Sequence, residues 1–228
     1  MRIIAFGDIH MSLGNFAKIP DISSADLIIL TGDLTNYGSR HDARDILNQV
    51  LAVNPHVLAQ VGNLDDFAIN DYLDALNMNI HGQARLFRRG VCLMGCGGSN
   101  PTPFNTLTEF SEIELGNILE QAYLEARNFI ELAQPLERHQ IPLILVSHTP
   151  PLNTALDLLP DGSHVGSSAV RSFIERNQPP LCLTGHIHEA KGSDRIGETL
   201  ILNPGMINKG GWIDILIDNK GKLKATVQ

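Results

Sequence analysis

RIIAFGDIH, residues 2 to 10, decides the fold. Its first part is an unbroken apolar run, and Ile3 and Ile4 are β-branched. A continuous run of this kind suits a strand covered on both faces. A Gly-led polar loop follows at once and carries Asp8 and His10. The same pattern returns four times: LIIL (27–30) before TGD, VLAQV (57–61) before GNLDD, LILV (143–146) before SHTPP, and LCLT (181–184) before GHIH.

Helical spacing separates these runs. Residues His41 to Val53 put Ala43, Ile46, Leu47, Val50 and Leu51 on one face. Ser111 and Glu114 form a Ser-x-x-Glu capping box. It opens a longer helix expected to run to about His139, with Leu115, Ile118, Leu119, Ala122, Ala126, Phe129, Ile130 and Ala133 as its stripe. Pro135 should kink or end that helix. A further helix is expected from near Ser167, carrying Val170, Phe173 and Ile174. Late in the chain, TLILNPG, GGWIDILID and GKLKATVQ read as strands. The last two are joined by a turn at Asp218–Gly221, and Trp212 is expected in the core. Strands that alternate with helices early and dominate late indicate a mixed α/β layered sandwich, one domain over residues 1–228.

Composition excludes several classes. The net charge of −8 and the lack of any Lys/Arg-rich run leave no surface for extended nucleic acid. No apolar run reaches the roughly 18–20 residues that span a bilayer, and MRIIAFGDIH is not a secretion signal. A cytoplasmic protein is expected. The cysteines, Cys92, Cys96 and Cys182, are too few and odd in number for a disulfide framework and are expected to be buried.

The strand ends supply Asp8, His10, Asp33, Asn63, His148, His186 and His188. Ligands in α/β sheets bind beyond the carboxyl ends of strands, so these donors are candidates for one metal site. A set of His, Asp and Asn without thiolate suits divalent transition metals: Mn²⁺, Fe, Zn²⁺, Co²⁺ or Ni²⁺. Two such ions, about 3.5–4 Å apart, cancel phosphate charge, hold both oxygens in line and lower the pKa of water toward about 7.

In order along the chain, GDIH (7–10), GDLT (32–35), GNLD (62–65), SHTPP (147–151) and GHIH (185–188) resemble the calcineurin-like metallophosphoesterase superfamily. Two further segments, GCGGSNPTPFNT (95–106) and DGSHVGSSAVR (161–171), resemble its branch of predicted phosphoesterases related to the bacterial cyclic-AMP phosphodiesterase. The resemblance implies a four-layer α-β-β-α sandwich, two mixed sheets flanked by helices, with a dinuclear site on one edge. It implies Asp8, His10 and His188 on a first metal, Asn63, His148 and His186 on a second, and Asp33 bridging. It also implies hydrolysis of a small phosphate ester, a diester ahead of a monoester, by attack of a metal-bridging hydroxide.

One position departs from the pattern. The superfamily motif is G-N-H-D/E, and here Leu64 replaces the histidine that acts as general acid or charge stabiliser. General acid catalysis is worth roughly 10²–10⁴-fold. One reading is therefore an inactive scaffold for protein–protein interaction. The other is an enzyme whose leaving group departs easily or takes its proton elsewhere. His164, beside the expected helix at Ser167, is the candidate substitute. Asp65 is expected to order its turn from behind the ligands. Gly98, Ser99, Asn100 and Arg171 are candidate substrate contacts, with loop shaping and a solvated position as the alternatives. His41, His56, His81 and His139 are expected on the surface.

Overall fold

Each of the five apolar runs becomes a buried strand. The protein is described by a computed structural model covering residues 1–88, 90–137 and 139–228. Strands follow one another as β1 (Arg2–Phe6), β2 (Leu27–Leu30), β3 (Val57–Ala59), β4 (Ala84–Phe87), β5 (Val91–Cys96), β6 (Leu143–Ser147), β7 (Leu181–Leu183), β8 (Gly192–Ile196), β9 (Thr199–Asn203), β10 (Ile213–Ile217) and β11 (Leu223–Val227). The helices are α1 (Arg40–Leu51), α2 (Ala68–Ala75), α3 (Glu112–Ala133) and α4 (Ser168–Asn177).

The strands form two mixed sheets, one ordered β11-β10-β1-β2-β3 and the other β4-β5-β6-β7-β9-β8. Alternation along each strand explains the layering. Ile3, Ala5, Leu27 and Ile29 face the second sheet and meet Val91, Leu93, Ile144, Val146, Leu181 and Leu183. Their neighbours Ile4, Phe6, Ile28 and Leu30 face outward onto Ala43, Ile46, Leu47 and Val50 of α1 and Ile69 and Leu73 of α2. Cys92, Met94, Leu145 and Cys182 face outward onto α3 and α4. Each side chain of this size contributes roughly 1.5–3 kcal/mol when fully buried. The expected α-β-β-α sandwich is therefore present, and no helix among the described residues is long and apolar enough to cross a membrane.

Helix ends follow local chemistry. Ser39 and Ser111 both make capping boxes, and Ser167 caps α4 by accepting from the Val170 N–H. α3 ends at Ala133, short of His139. Pro135 has no N–H to continue the ladder, and a 3₁₀ turn over Gln134–Leu136 takes over. α2 is not apparent in the sequence, because it is only eight residues long and buries just Ile69 and Leu73 in the core, with Tyr72 packed partly against it. Trp212 is half-buried against the outer core rather than inside it.

Candidate active site

Parallel pairing of β1, β2 and β3, and of β6 with β7, turns five strand ends toward one edge of the sandwich. Asp8, His10, Asp33 and Asn63 arrive from one sheet, and His148, His186 and His188 from the other. Asp8, His10 and His188 converge as one group, and Asp8, Asp33 and His148 as a second. His10 Nε2 lies 2.9 Å from His188 Nε2, and His188 Nε2 lies 3.3 Å from Asp8 Oδ1. Asp33 Oδ2, in the second group, lies 3.4 Å from His148 Nε2 and also 3.8 Å from His10 Nε2 of the first. Asn63 Oδ1 is 3.1 Å from His148 Nε2 and 2.8 Å from His186 Nδ1.

Neighbours fix which atom each residue presents. The Thr31 carbonyl can only accept, so His148 Nδ1 keeps its proton at 3.1 Å and Nε2 faces the site. Asn63 Nδ2 donates to Thr106 Oγ1, whose own hydrogen goes to Glu109 Oε1. This chain of donors orients the amide with Oδ1 toward the histidines.

Backbone strain is concentrated here. Asp8, His10, Asp33 and His186 have φ of 47°, 45°, 51° and 68°, the left-handed region that costs non-glycine residues roughly 1–2 kcal/mol each. The preceding glycines make room for other candidate ligands. A Cβ on Gly62 would stand 2.1 Å from Asp33 Oδ1, and one on Gly185 would stand 2.6 Å from Asp8 Oδ2.

These residues fit a dinuclear divalent metal site. Asp8 Oδ2 is buried with no hydrogen-bond partner among the described residues, and a cation would satisfy it. Burial works to raise the Asp33 carboxyl, but His148, His10 and the Leu64 N–H hold it well below the usual carboxylate range. Burial would lower His148, yet the carboxylates of Asp33, Asp8 and Asp65 push it up to about 9. Burial and the nearby His148 lower His186 to about 4. Crowded carboxylates facing imidazole nitrogens are the mixed O/N environment that divalent transition metals favour.

The Leu64 N–H donates to Asp33 Oδ1 at 2.9 Å. The Leu64 side chain lines a cleft of about 630 Å³ that also contains His10, Asp33, Asn63, His186 and His188. Asp65 lies behind this surface, fully buried. Its Oδ1 accepts from the Thr35 N–H and hydroxyl, and its Oδ2 from the Leu34 and Gly62 N–H groups. It ties the turn after β3 to the turn after β2. Asp65→Ala strands three buried N–H groups, and the metal-free protein is expected to lose at least about 3 kcal/mol in denaturant unfolding.

His164 is on the cleft wall. Its Nδ1 lies 2.7 Å from Asp157 Oδ1. Asp157 also accepts from the Asn153, Thr154 and Gly166 N–H groups. Burial opposes ionisation of Asp157, but these bonds hold it below the usual carboxylate range. Asn100 lines the cleft, yet its amide donates to the Val165 carbonyl and accepts from Thr149 Oγ1. Gly98 and Ser99 are not among the cleft-lining residues, and Ser99 is fully buried. Arg171 is also absent from the lining and binds the Leu152 and Asn153 carbonyls and Glu175. His81 is half-buried instead of on the surface, because its Nδ1 accepts from the Gly97 N–H and its ring stacks on Phe110 at 5.5 Å. Burial lowers it to about 4. Thr31, Thr106, Glu109 and Asp157 were missed in the sequence, since each acts through a partner distant in the chain or outside any motif.

Comparison with known proteins shows the family and the fold. The family model for calcineurin-like phosphoesterase matches residues 1–190. An uncharacterized protein of Methanocaldococcus jannaschii is 32% identical over 209 residues, covering 90% of this chain and 88% of that protein. A solved structure from Thermus thermophilus aligns with a TM-score of 0.64 at 19% identity, covering 99% of this chain and 97% of that one. A dimetal phosphatase of Danio rerio aligns with a TM-score of 0.63 at 11% identity, covering 100% and 98%. At these identities the solved structures show the shared fold. The chain belongs to the calcineurin-like phosphoesterase family and is a metal-dependent phosphoric ester hydrolase.

Proposed function

We propose that this protein hydrolyses phosphodiesters ahead of monoesters at a two-metal centre. In this reading Asp8, His10 and His188 hold one metal, Asn63, His148 and His186 hold the other, and Asp33 lies between them. The observation that carries the reading is the convergence of Asp8, His10, Asp33, His148 and His188 in two groups that share Asp8, whose Oδ2 is unpartnered among the described residues, with Asn63 Oδ1 beside His148 and His186. Bound divalent ions supply charge neutralisation and an activated water. The protein contributes the rest. Thr31 and Thr106 hold His148 and Asn63 in their donor orientations. The buried turns keep Asp33 and Asp8 from relaxing away from the edge.

Support for a diester comes from charge. Among the described residues the cleft lining includes no Lys or Arg, so little compensates the second negative charge of a monoester. His164 is the proton donor in place of Leu64 in this reading. With Nδ1 held by Asp157, its Nε2 is left to serve the departing oxygen. Asn100 forms the wall next to it, and Gly98, Ser99 and Arg171 act only by holding loops. The three free buried cysteines support a cytoplasmic setting.

Protein stripped with chelator and reloaded in turn with Mn²⁺, Fe²⁺, Zn²⁺, Co²⁺ and Ni²⁺ tests the proposal against mono-, di- and cyclic phosphates. Two ions per chain with faster diester turnover is the expected result. Absence of both metal uptake and turnover would favour the scaffold reading that Leu64 raises.

A further inference from the structure

The wall of the cleft above the metal ligands is apolar and aromatic. Phe104 is 78% exposed and Tyr37 54% exposed, and both line the cleft beside Leu64 and Leu159. Large exposed aromatics at a binding cleft are a contact surface awaiting a partner.

Phe104 is not on a loose tip. Its loop has Pro101 and Pro103, which restrict the backbone. Glu109 clamps the loop by accepting from the Thr102 hydroxyl and from the Thr106 N–H and hydroxyl. The Phe104 N–H donates to Thr102 Oγ1, and Asn100 ties the loop start to Val165 on the facing wall. Thr106 also accepts from Asn63, so the loop is joined directly to a candidate metal ligand. Tyr37 is fixed from the other side. Its backbone has φ of 56°, a costly conformation for an aromatic residue, and its N–H donates to the Leu64 carbonyl at 3.1 Å.

We infer that Phe104 and Tyr37 form a stacking platform for a neutral planar ring carried on the substrate's phosphate. The inference rests on the phosphoesterase reading and names its substrate class: a single phosphate ester bearing an aryl ring or nucleobase. Charge agrees, because a cleft with no Lys or Arg among its described lining residues does not favour a second phosphate group. The position of Leu64 agrees too. A histidine there would present a polar, partly charged face to the ring, whereas leucine extends the apolar wall.

Binding to Mn²⁺-loaded protein, measured by calorimetry, separates the possibilities. The probes are diphenylphosphinate and dimethylphosphinate, monoanions that cannot be hydrolysed and differ only in their rings. Diphenylphosphinate is expected to bind at least about tenfold tighter, with a more negative heat-capacity change. Phe104→Ala and Tyr37→Ala should each remove at least about fivefold of that advantage and leave dimethylphosphinate affinity unchanged. Both positions are exposed, so thermal unfolding of the variants should match the parent. Equal affinity for the two probes, or a preference that survives the double variant, overturns the inference alone. Failure of both probes to bind, with no Mn²⁺ uptake, overturns it together with the hydrolase reading. Competition by a cyclic nucleoside monophosphate against phenyl methyl phosphate then tells a nucleobase from a simple aryl ring.

Discussion

Asp33→Asn is expected to lower kcat for any phosphate ester by at least about 10³-fold and to reduce metal content below two ions per chain. The substitution keeps the volume and the oxygen that accepts the Leu64 N–H. It removes the negative charge between His10 and His148, at 3.8 and 3.4 Å. Asp8 belongs to both donor groups, but its Oδ1 is turned toward His188 and the His186 N–H, which leaves Asp33 as the carboxylate facing both His10 and His148. The fold should survive, because Asp65 makes most of the side-chain bonds between the two turns and the amide oxygen introduced at position 33 can still accept the Leu64 N–H. Metal analysis and steady-state kinetics on the same preparation check both halves of the expectation.

The second large effect concerns His164. His164→Ala should slow esters of alkyl alcohols by roughly 10²–10⁴-fold, the ordinary range for a lost general acid. Nitrophenyl esters should change far less, because their leaving oxygen needs little protonation. Leu64→His, added to His164→Ala, should restore part of the alkyl rate, since position 64 also lines the cleft. Asp157→Asn should resemble a weaker His164→Ala, as it disturbs the imidazole only through the 2.7 Å contact. A rate that is independent of leaving-group pKa in the parent and both variants contradicts proton delivery from His164. Coupling between positions 64 and 164 is read from the double variant, because groups sharing one task do not contribute additively.

Much of this site was legible because strand ends are local features. Asp8, Asp33, Asn63, His148 and the pair His186 and His188 each follow an apolar run whose burial is set by its own sequence. Parallel pairing then brings them to one edge without further information. The supports were not legible in the same way. Asn63 is oriented by Thr106, 43 residues away, and His148 by the Thr31 carbonyl, which no side-chain motif reports. Asp157 lies outside the motifs, and its role depends on the Asn153–Gly166 loop folding back on itself. Left-handed backbone at Asp8, His10, Asp33 and His186 also contradicts local preference, and only the surrounding packing imposes it. The sequence around His81 points to the surface because nothing near it announces the Gly97 N–H or the Phe110 ring.

The metal centre is expected to work despite Leu64. This is tested most directly by adding Mn²⁺ stepwise to chelator-stripped protein while following bis(4-nitrophenyl) phosphate hydrolysis. Turnover should rise with added metal and level off at two equivalents per chain. Turnover that is absent at every Mn²⁺ level, or that does not depend on metal, would contradict it.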